Sequence, residues 1–560
     1  MKRAWVPAAA GYTSLLIGAL DILGAVNPYF RHSRFGALAG QLPGMVTTLA
    51  RASTLVIGIL LVMIAHALRR RKARAWRAVV ILLPVGVLVG ALHWRHPISA
   101  AISLLLLAVL VITRKEFYAL PDPRSRWRAL GNLAALGVLD LGVGWLLVGG
   151  HAGVGERFQQ VLLGLVGLVD FPSDRVYYSL AALGALTAVT TLFLALRPER
   201  PVAVLSADDE SRLRALLDRY GSRDSLGYFA LRRDKSVIMS PTGKAAVAYR
   251  VVSGVMLASG DPIGDPEAWP GAIKRFMEEA ARHAWVPAVI GCSEAGGEVW
   301  TRVGGLSALE IGDEAVVEVA DFTLDGRAMR NVRQMVNRVS RAGYVCAIRR
   351  AADLPVKELE EIVQAADSWR GSSTERGFSM ALGRFGDPDC VVATAHKDGR
   401  LRAVLQFVPW GPSGISLDLM RRDRTAEPGL NELLIVRTLE ACSTLGVREV
   451  SLNFAMFRAA LARGERLGAG PVLRTWRGLL VFLSRWFQIE SLYRFNAKFR
   501  PIWEPRFVVY PAARDLPRIG VASLQAEAFI PSFTPLKRVW ASASVLSHRK
   551  GAHMTRALGA

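Results

Sequence analysis

The chain has 560 residues, 51% of them hydrophobic, and 70 Lys and Arg against 47 Asp and Glu give it a formal net charge of +23. The apolar fraction excludes a disordered chain, and only four cysteines exclude a disulfide-rich scaffold. A mean hydropathy of +0.27 beside so much charge indicates that apolar and charged residues occupy different parts of the chain. Long apolar runs do precede residue 197, and a globular composition follows.

Residues 1–197 are predicted to form a transmembrane domain of five or six helices, because a span needs about 20 apolar residues. Several spans follow the first one, so we do not expect a cleaved signal peptide. Asp21 and Asp140 fall inside predicted spans, and packing against a neighbouring helix is favoured over a functional role for both. The predicted spans are 4–26, 45–68, 75–94, 98–113, 129–150 and 177–197.

The orientation of these spans follows from their basic loops. Lys and Arg are concentrated at the N-terminus and around residues 69–77 and 114–128, whereas the alternate loops carry few. Because cytoplasmic loops are enriched in Lys and Arg, the pattern predicts a multi-pass protein of the cell membrane. Its N-terminus and its C-terminal globular part are both predicted to be cytoplasmic.

The globular part begins near Arg197 and has the pattern of mixed α/β structure. Residues 198–354 are predicted to form a first domain, with short strands and one amphipathic helix. The strands are Ala245–Val252, Ala288–Gly291 and Ala315–Val319, and the helix lies near Pro266–His283.

Residues 355–515 are predicted to form a second, catalytic domain. A helix up to Trp369 precedes a three-strand meander with a hairpin turn at Asp398-Gly399. The order of meander, helix, strand and helix is typical of an acetyltransferase-like (GNAT) domain, so the predicted fold class is a multi-pass α-helical membrane domain followed by tandem GNAT-like α/β domains. Residues 516–560 are predicted to be a basic tail. The predicted elements are Val391–Ala395, Leu401–Phe407, Ile415–Arg421, a helix Asn431–Leu445, a strand Glu449–Phe454 and a long helix near Gly478–Phe499.

Acyl-CoA enzymes of this class carry a glycine-rich pyrophosphate loop at a helix N-terminus. No such motif occurs between Leu419 and Leu434, which favours a different acyl donor.

Ordered motifs over residues 225–511 resemble the phosphatidylglycerol lysyltransferase (multiple peptide resistance factor) family, whose catalytic part is a tandem GNAT domain. The stretch Ser451–Arg506 is most similar to the actinobacterial branch. The motifs are Gly260–Gly264, Met329–Asn331, Asn337–Arg338, Glu375–Ser379, Gly383–Phe385, Asp418–Arg421 and Lys498–Arg506.

The resemblance implies transfer of an aminoacyl group, lysyl by the family name, from aminoacyl-tRNA to phosphatidylglycerol. An ester is exchanged for an ester, so no cofactor or metal is expected. The implied partners are aminoacyl-tRNA, phosphatidylglycerol and an anionic membrane, and homo-oligomer formation is left open. No flippase module and no fused lysyl-tRNA synthetase are expected, so charged tRNA must come from the cell. This leaves lysine, alanine or another amino acid open.

Asp418 and Arg421 are the pair that the resemblance places in the catalytic pocket. Asp418 would hold the substrate amino group or assist deprotonation of the lipid hydroxyl, and Arg421 suits the lipid phosphate. Residues three apart face opposite ways in an ideal strand, so the pair converges only if the strand ends or bulges near Met420. Spacing alone favours an edge-strand ion pair.

The remaining candidates are less specific. Lys498 and Arg506 would bind phosphate of the lipid or tRNA, or form a solvated basic surface. Further substrate-binding candidates are Glu375, Asn453 and Tyr493. A basic run would contact tRNA or the anionic inner leaflet, and its residues are Arg330, Arg333, Arg338 and Arg341.

Two other functions compete with the leading one. A related transferase with tandem GNAT domains would use another lipid or a cell-wall precursor as acceptor. A non-catalytic membrane protein would only bind lipid or tRNA. Substituting Asp418 and Arg421 distinguishes the two enzyme hypotheses from the binding hypothesis, because only an enzyme would lose its product.

Overall fold

The computed structural model divides the chain into two compact units, one built on residues 1–200 and the other on residues 201–279 and 286–560. The residues that the structure describes are 6–26, 51–69, 71–80, 97–117, 123–148, 155–156, 158–159, 161, 174–196, 203–370, 377–379, 381–456 and 489–530.

The first unit is helical. Its long helices are rich in Ala, Leu and Val, which explains why they bury apolar side chains against each other. Within the described residues, one stretch, Trp127–Leu147, is long and apolar enough to cross a membrane. The prediction of five or six spans therefore stays a prediction, and most of the predicted span 75–94 lies outside the described residues. The helices are α1 (Val6–Val26), α2 (Arg51–Arg69), α3 (Pro97–Ile112), α4 (Pro123–Val148) and α5 (Asp174–Ala195).

Polar side chains join α4 to α5. The Thr187 hydroxyl donates a hydrogen bond of 2.7 Å to the carboxylate of Asp140, which is 4% exposed. One turn further along α5, the amide of Asn132 donates to Thr190 and Thr191. Asp140 thus packs against a neighbouring helix, as predicted, whereas the side chain of Asp21 is outside the described structure.

The second unit is built on one mixed sheet. Its order is β1-β2-β3-β5-β12-β6-β11-β10-β9-β8-β7, and β4 pairs with β2. The strands are β1 (Ser236–Met239), β2 (Ala245–Val252), β3 (Val255–Ser259), β4 (Ile263–Gly264), β5 (Val286–Cys292), β6 (Ser307–Glu318), β7 (Val345–Arg350), β8 (Val391–Lys397), β9 (Arg400–Trp410), β10 (Gly414–Arg422), β11 (Glu449–Met456) and β12 (Ile502–Tyr510).

Helices cover both faces of this sheet. The predicted meander and the helices that flank it are confirmed, and both Asp398 and Gly399 have the positive φ that a two-residue hairpin turn requires. Residues 489–499 of the predicted helix 478–499 lie within the described residues, and the helix there spans Ile489–Ala497. The helices are α6 (Ala207–Tyr220), α7 (Trp269–Arg282), α8 (Glu294–Gly304), α9 (Arg330–Arg341), α10 (Val356–Trp369), α11 (Leu430–Ala441), α12 (Ile489–Ala497) and α13 (Leu516–Ala526).

Two apolar cores lie on opposite faces of strands β8 to β10. One core contains Val332 and Val336 of α9 with Leu433 of α11, and is called the α9/α11 core. The other contains Leu213 of α6 with Ile362 of α10, and is called the α6/α10 core. Alternate residues of each strand enter opposite cores because the side-chain period of a strand is two.

The sheet crosses the predicted domain boundary at 354/355 in two places. Strand β7, from the predicted first domain, pairs with β8 of the second. Strand β12, from the second, lies between β5 and β6 of the first. The boundary itself stays a prediction, but the two halves share one continuous set of backbone hydrogen bonds.

The predicted tail begins with ordered structure. Residues Leu516–Ala526 form α13, whose Ile519 and Ala522 are buried against β3 and β5. These residues belong to the core, because the short apolar side chains on one side of this helix cover the sheet. Residues 531–560 lie outside the described structure.

Candidate active site at the divergence of β10 and β11

Strands β10 and β11 separate near the middle of the sheet. They pair in parallel only from Gly414 to Ser416 on β10, opposite Glu449 to Ser451 on β11, although both strands continue further. Beyond this point β10 pairs on its other side with β9, and β11 with β6. Ligands of open α/β sheets bind outside the carboxyl ends of strands where neighbours diverge, so the divergence is the candidate site.

A β-bulge lies at this divergence and contains Asp418. Leu417 pairs with Phe407 and Leu419 pairs with Gln406, so Asp418 is the extra residue. Leu417 packs in the α9/α11 core, but Leu419 packs against the α6/α10 core. The bulge shifts the alternation by one residue, and this places Asp418 and Arg421 on the α6/α10 face together. From the sequence, the two side chains could converge only if the strand ended or bulged near Met420. The bulge lies at Asp418, two residues before Met420.

The Asp418 carboxylate is held by two neutral donors. The backbone N–H of Leu382 donates to Oδ1 at 2.7 Å, and Nε2 of Gln406 donates to Oδ2 at 2.5 Å. Hydrogen bonds to the charged form favour an ionised carboxylate. Asp418 is therefore suited to attract a cationic group.

Arg421 lies against the C-terminal turn of α10. Its Nη1 donates to the carbonyl of Ala366 at 3.0 Å and to Oδ1 of Asp367 at 3.2 Å. The Arg421 side chain is 10% exposed, whereas that of Asp367 is 49% exposed. The ion pair thus has a buried cation and an anion that faces solvent.

Asn453 lies across the divergence from Asp418. Its φ of +73° is in the left-handed region, which Asn adopts more readily than most residues. Its Nδ2 donates to the carbonyl of Leu417 at 2.7 Å, directly before the bulge. Asn453 therefore links β11 to the segment of β10 that carries Asp418.

Arg506 is enclosed at the base of the divergence. It is 2% exposed, its Nη1 donates to Asp224 at 2.8 Å, and its Nε donates to Glu314 at 2.9 Å. Glu314 also accepts the hydroxyl of Ser451, the last residue of β11 that pairs with β10. These carboxylates hold the pKa of Arg506 above its usual value despite burial. The Arg506 guanidinium thus ties β12 to β6 and, through Glu314, to β11. Its predicted role in binding phosphate stays a prediction.

Tyr493 and Lys498 belong to the α12 region, toward the α9/α11 core. The Tyr493 ring lies 5.3 Å from the ring of Trp503, and Lys498 Nζ donates to Glu432 at 2.7 Å. Tyr493 and Lys498 thus lie toward a different face of the sheet from Asp418 and Arg421. Their predicted roles in substrate binding stay predictions.

Glu375 lies outside the described residues, but the end of its motif is described. The partly buried carboxylate of Glu527, directly after α13, accepts the N–H of Phe378 at 2.7 Å and that of Ser379 at 3.1 Å. Lys235 is fully buried and its Nζ lies 4.5 Å from the centroid of the Phe378 ring. Sequence reasoning missed Glu527, because residues 516–560 were predicted to be a basic tail.

The predicted basic run lies on α9, whose sequence contains no acidic residue. Arg330, Arg338 and Arg341 are exposed. Arg333 is half-buried and donates to the carbonyls of Leu324 and Gly326. The exposed arginines give this helix a positively charged face. The contacts of Arg333 with backbone carbonyls hold the helix against the loop before it.

Within the described residues, no group of three or more His, Cys, Asp or Glu side chains is arranged to hold a metal ion. The four cysteines are not joined by disulfides, and three of them are buried.

Gln406 was missed by sequence reasoning. It is fully buried on β9, where its neighbours Leu405 and Phe407 form part of the α9/α11 core. A single polar residue in the apolar stretch Ala403–Trp410 is the signal in the sequence, and it does not identify the partner.

Comparison with known proteins gives the family of this region. Residues 214–510 match the family model described as phosphatidylglycerol lysyltransferase, C-terminal. Residues 2–165 match a model described as the transmembrane region of lysyl-tRNA synthetase, so the first unit resembles a membrane domain.

Curated relatives match nearly the whole chain. A lysylphosphatidylglycerol biosynthesis bifunctional protein LysX from Rhodococcus opacus is 41% identical over 94% of this chain and 49% of its own length. The protein of the same name from Mycobacterium avium is 40% identical over 94% of this chain and 47% of its own. The chain thus spans about half the length of these relatives.

A solved structure supports the fold. The structure of L-PGS from Bacillus licheniformis has a TM-score of 0.51 at 21% identity, and the match covers 59% of this chain and 99% of that one. Since the lysyltransferase model covers more than half of the chain, the chain belongs to the phosphatidylglycerol lysyltransferase family, in its actinobacterial branch.

Proposed function

We propose that this chain transfers an aminoacyl group, lysyl in the first instance, from aminoacyl-tRNA to phosphatidylglycerol. The observation that carries the proposal is the β-bulge that brings Asp418 and Arg421 to one face beside the divergence of β10 and β11. The family match covers this region, and the relatives' names concern lysylphosphatidylglycerol synthesis. A lysyl product is a cationic lipid, which lowers the attraction of the membrane for cationic peptides.

The reaction exchanges one ester for another. A glycerol hydroxyl oxygen of the lipid attacks the aminoacyl carbonyl carbon, the bond to the tRNA ribose oxygen breaks, and the hydroxyl proton passes to that ribose oxygen. What the protein must supply is orientation of the two substrates and stabilisation of the developing charge. No redox step or added energy source is needed.

Asp418 is assigned to the amino group of the aminoacyl substrate. Two hydrogen-bond donors already favour its ionised form, and charge-assisted hydrogen bonds from an ammonium to an ionised carboxylate are stronger than neutral ones. The same donors make it a weaker proton acceptor. We therefore favour electrostatic binding over general-base catalysis for this residue.

Arg421 is assigned to the lipid phosphate. Its guanidinium already binds the carboxylate of Asp367, and two oxygens of a phosphate can accept hydrogen bonds from the same planar fork of N–H donors. Asp367 is half-exposed and can turn away when a phosphate enters.

The exposed arginines of α9 are assigned to the polyanionic partners, the tRNA backbone or the anionic inner leaflet. Basic side chains that neutralise phosphates make binding sensitive to salt. We assign the first unit to the cell membrane as a multi-pass domain, with the N-terminus and the catalytic part in the cytoplasm.

The test is mass spectrometry of total lipids from a host that makes phosphatidylglycerol but has no aminoacyl-lipids. The full chain is expected to produce a new aminoacyl-phosphatidylglycerol whose mass identifies the amino acid. Asp418→Asn and Arg421→Ala are expected to reduce it by at least about a hundredfold, the effect of losing substrate orientation.

Two variants serve as matched controls. Asp398→Asn changes a carboxylate in a turn that Asn also favours, and Arg424→Ala removes an exposed arginine two residues beyond β10. Both should leave the product unchanged. No new lipid from a folded, membrane-inserted protein would favour another acceptor or a non-catalytic binding role.

A further inference from the structure

Gln406 carries a buried amide within an apolar stretch of β9, Ala403–Trp410. It is 0% exposed. Burying an amide costs free energy unless its polar atoms are hydrogen-bonded. The contacts of this one side chain therefore show what compensates the cost.

The contacts of Gln406 converge on Asp418 and on the loop from Leu382 to Asp387, called the clamp loop. Its Nε2 donates to Asp418 Oδ2 at 2.5 Å and to the carbonyl of Arg384 at 3.1 Å. Its Oε1 accepts the N–H of Gly386 at 2.9 Å. At the start of the same loop, the N–H of Leu382 donates to the other oxygen of Asp418.

These partners fix the orientation of the amide. Asp418 and the Arg384 carbonyl are acceptors, and the Gly386 N–H is a donor, so a flipped amide would meet all three with the wrong atom. Gln406 is thus held as a donor toward Asp418.

The clamp loop has an independent anchor at its far end. Asp387 is 6% exposed and accepts the Tyr228 hydroxyl at 2.8 Å and Arg214 Nη2 at 2.6 Å. Arg384 also donates to Glu210 of α6. The loop therefore does not depend on Gln406 alone for its position, whereas Gln406 also donates directly to Oδ2 of Asp418.

We propose that Gln406 is a positioning residue that holds the Asp418 carboxylate ionised and oriented for the aminoacyl amino group. This inference rests on the proposed function of Asp418. It adds a residue from β9, outside all of the family motifs in the sequence, to the machinery of the site.

The test compares Gln406→Glu and Gln406→Met in the full chain, reconstituted in phosphatidylglycerol vesicles with aminoacyl-tRNA, over pH 5 to 7.5. Glu places a second carboxyl next to Asp418, and two carboxyls in contact cannot both ionise easily. We expect the acidic side of the pH–rate profile of Gln406→Glu to shift to higher pH by about one unit or more. Met preserves the side-chain length but cannot donate, and we expect the rate to fall about tenfold to a hundredfold.

The control is Thr394→Val, which replaces a buried polar residue of β8 whose hydroxyl donates to the carbonyl of Ala347. Its pH profile should match the wild type. The double variant Gln406→Met with Asp418→Asn should be no slower than Asp418→Asn alone, since both act through one carboxylate.

The outcomes separate the two proposals. A wild-type pH profile for Gln406→Glu, or full additivity in the double variant, would overturn the positioning role while the wild type still makes the lipid. If Gln406→Glu does not fold, Gln406→Met and the double variant decide the question. A wild type that makes no aminoacyl-lipid removes the proposed function and this inference with it.

Discussion

Asp418 owes its orientation to one inserted residue. Without the bulge, Asp418 and Arg421 would face opposite sides of β10, because side chains of a regular strand alternate. Asn453 reinforces the bulge from β11 by donating to Leu417. Leu417 and Asp418 of β10, together with Asn453 of β11, thus fix a bulge that neither strand would adopt alone.

Asp367 is the residue whose replacement tests the role of Arg421. If Arg421 binds the lipid phosphate, the carboxylate of Asp367 competes for the same guanidinium. We expect Asp367→Asn to lower the KM for phosphatidylglycerol by a few-fold, with little change in kcat. The pair is partly solvent-exposed, so its own contribution to stability is small, about 0 to 1 kcal/mol.

Kinetics over a range of phosphatidylglycerol fractions in vesicles measures this effect. Glu440→Gln, which changes a comparable ion pair with Arg437 on α11, is the control. An unchanged KM with reduced kcat for Asp367→Asn would instead indicate that Asp367 orients Arg421.

Lys235, directly before β1, is a buried titratable residue that makes the stability of the protein depend on pH. Lys235 is fully buried, and burial lowers its pKa to about 7. Arg232 and Arg250 lower this pKa further, and Asp234 and Glu527 oppose the shift. Its Nζ also hydrogen-bonds Ser259 at 2.5 Å and the carbonyl of Phe229 at 3.1 Å.

The sign of the pH dependence follows from proton binding. Between about pH 7 and the ordinary pKa of lysine, the unfolded chain binds a proton that the folded chain does not, so this residue makes stability rise with pH. The slope is about 1.4 kcal/mol for each pH unit within this window. Lys235→Met should flatten that rise, because Met has no proton to lose.

Thermal melting of the purified full chain in detergent at pH 7, 8 and 9 measures the slope. Lys244→Met, on the exposed turn before β2, is the matched control and should retain the wild-type slope. Equal slopes for Lys235→Met and the wild type would contradict the assignment.

Contacts between elements also explain why the site depends on both halves of the second unit. Glu527, after α13, holds the backbone of Phe378 and Ser379, and the chain then continues to Leu382 at the site. Burial raises the pKa of Glu527, and the two backbone donors oppose that shift. The C-terminal helix thus helps to position a loop of the candidate active site.

The whole molecule combines a helical unit that resembles a membrane domain with a globular unit that carries the basic helix α9. The positive-inside pattern of the sequence predicts that residues 203–530 face the cytoplasm, where aminoacyl-tRNA is available. Protease added to intact spheroplasts should leave this region uncut, and protease added to inverted vesicles should cut it. Single cysteines introduced into the loops around 69–77 and 31–34 should be labelled from opposite sides.

This topology experiment has a clear contrary result. Cleavage of residues 203–530 from outside intact spheroplasts would place the catalytic part on the wrong side for charged tRNA. A permeabilised sample, in which both sides are accessible, controls for resistance of the folded unit to protease.

Much of the architecture could be predicted from local pattern. The meander, the Asp398-Gly399 turn and the strand Glu449–Phe454 depend on alternation and turn chemistry that act over a few residues. The motif around Asp418 predicts a candidate pocket because its residues stand together in sequence. Membrane helices are likewise predicted from length and hydropathy, which are local properties.

The long-range features required the folded structure. The insertion of β12 between β5 and β6, the enclosure of Arg506 by Asp224 and Glu314, and the contact of Gln406 with Asp418 join residues distant in the sequence. No periodicity encodes which buried polar groups will meet, since any partner that satisfies their hydrogen bonds would suffice. The chain's composition and motifs indicate the kind of protein, whereas the packing of strands decides which of its polar residues form the site and which hold the sheet together.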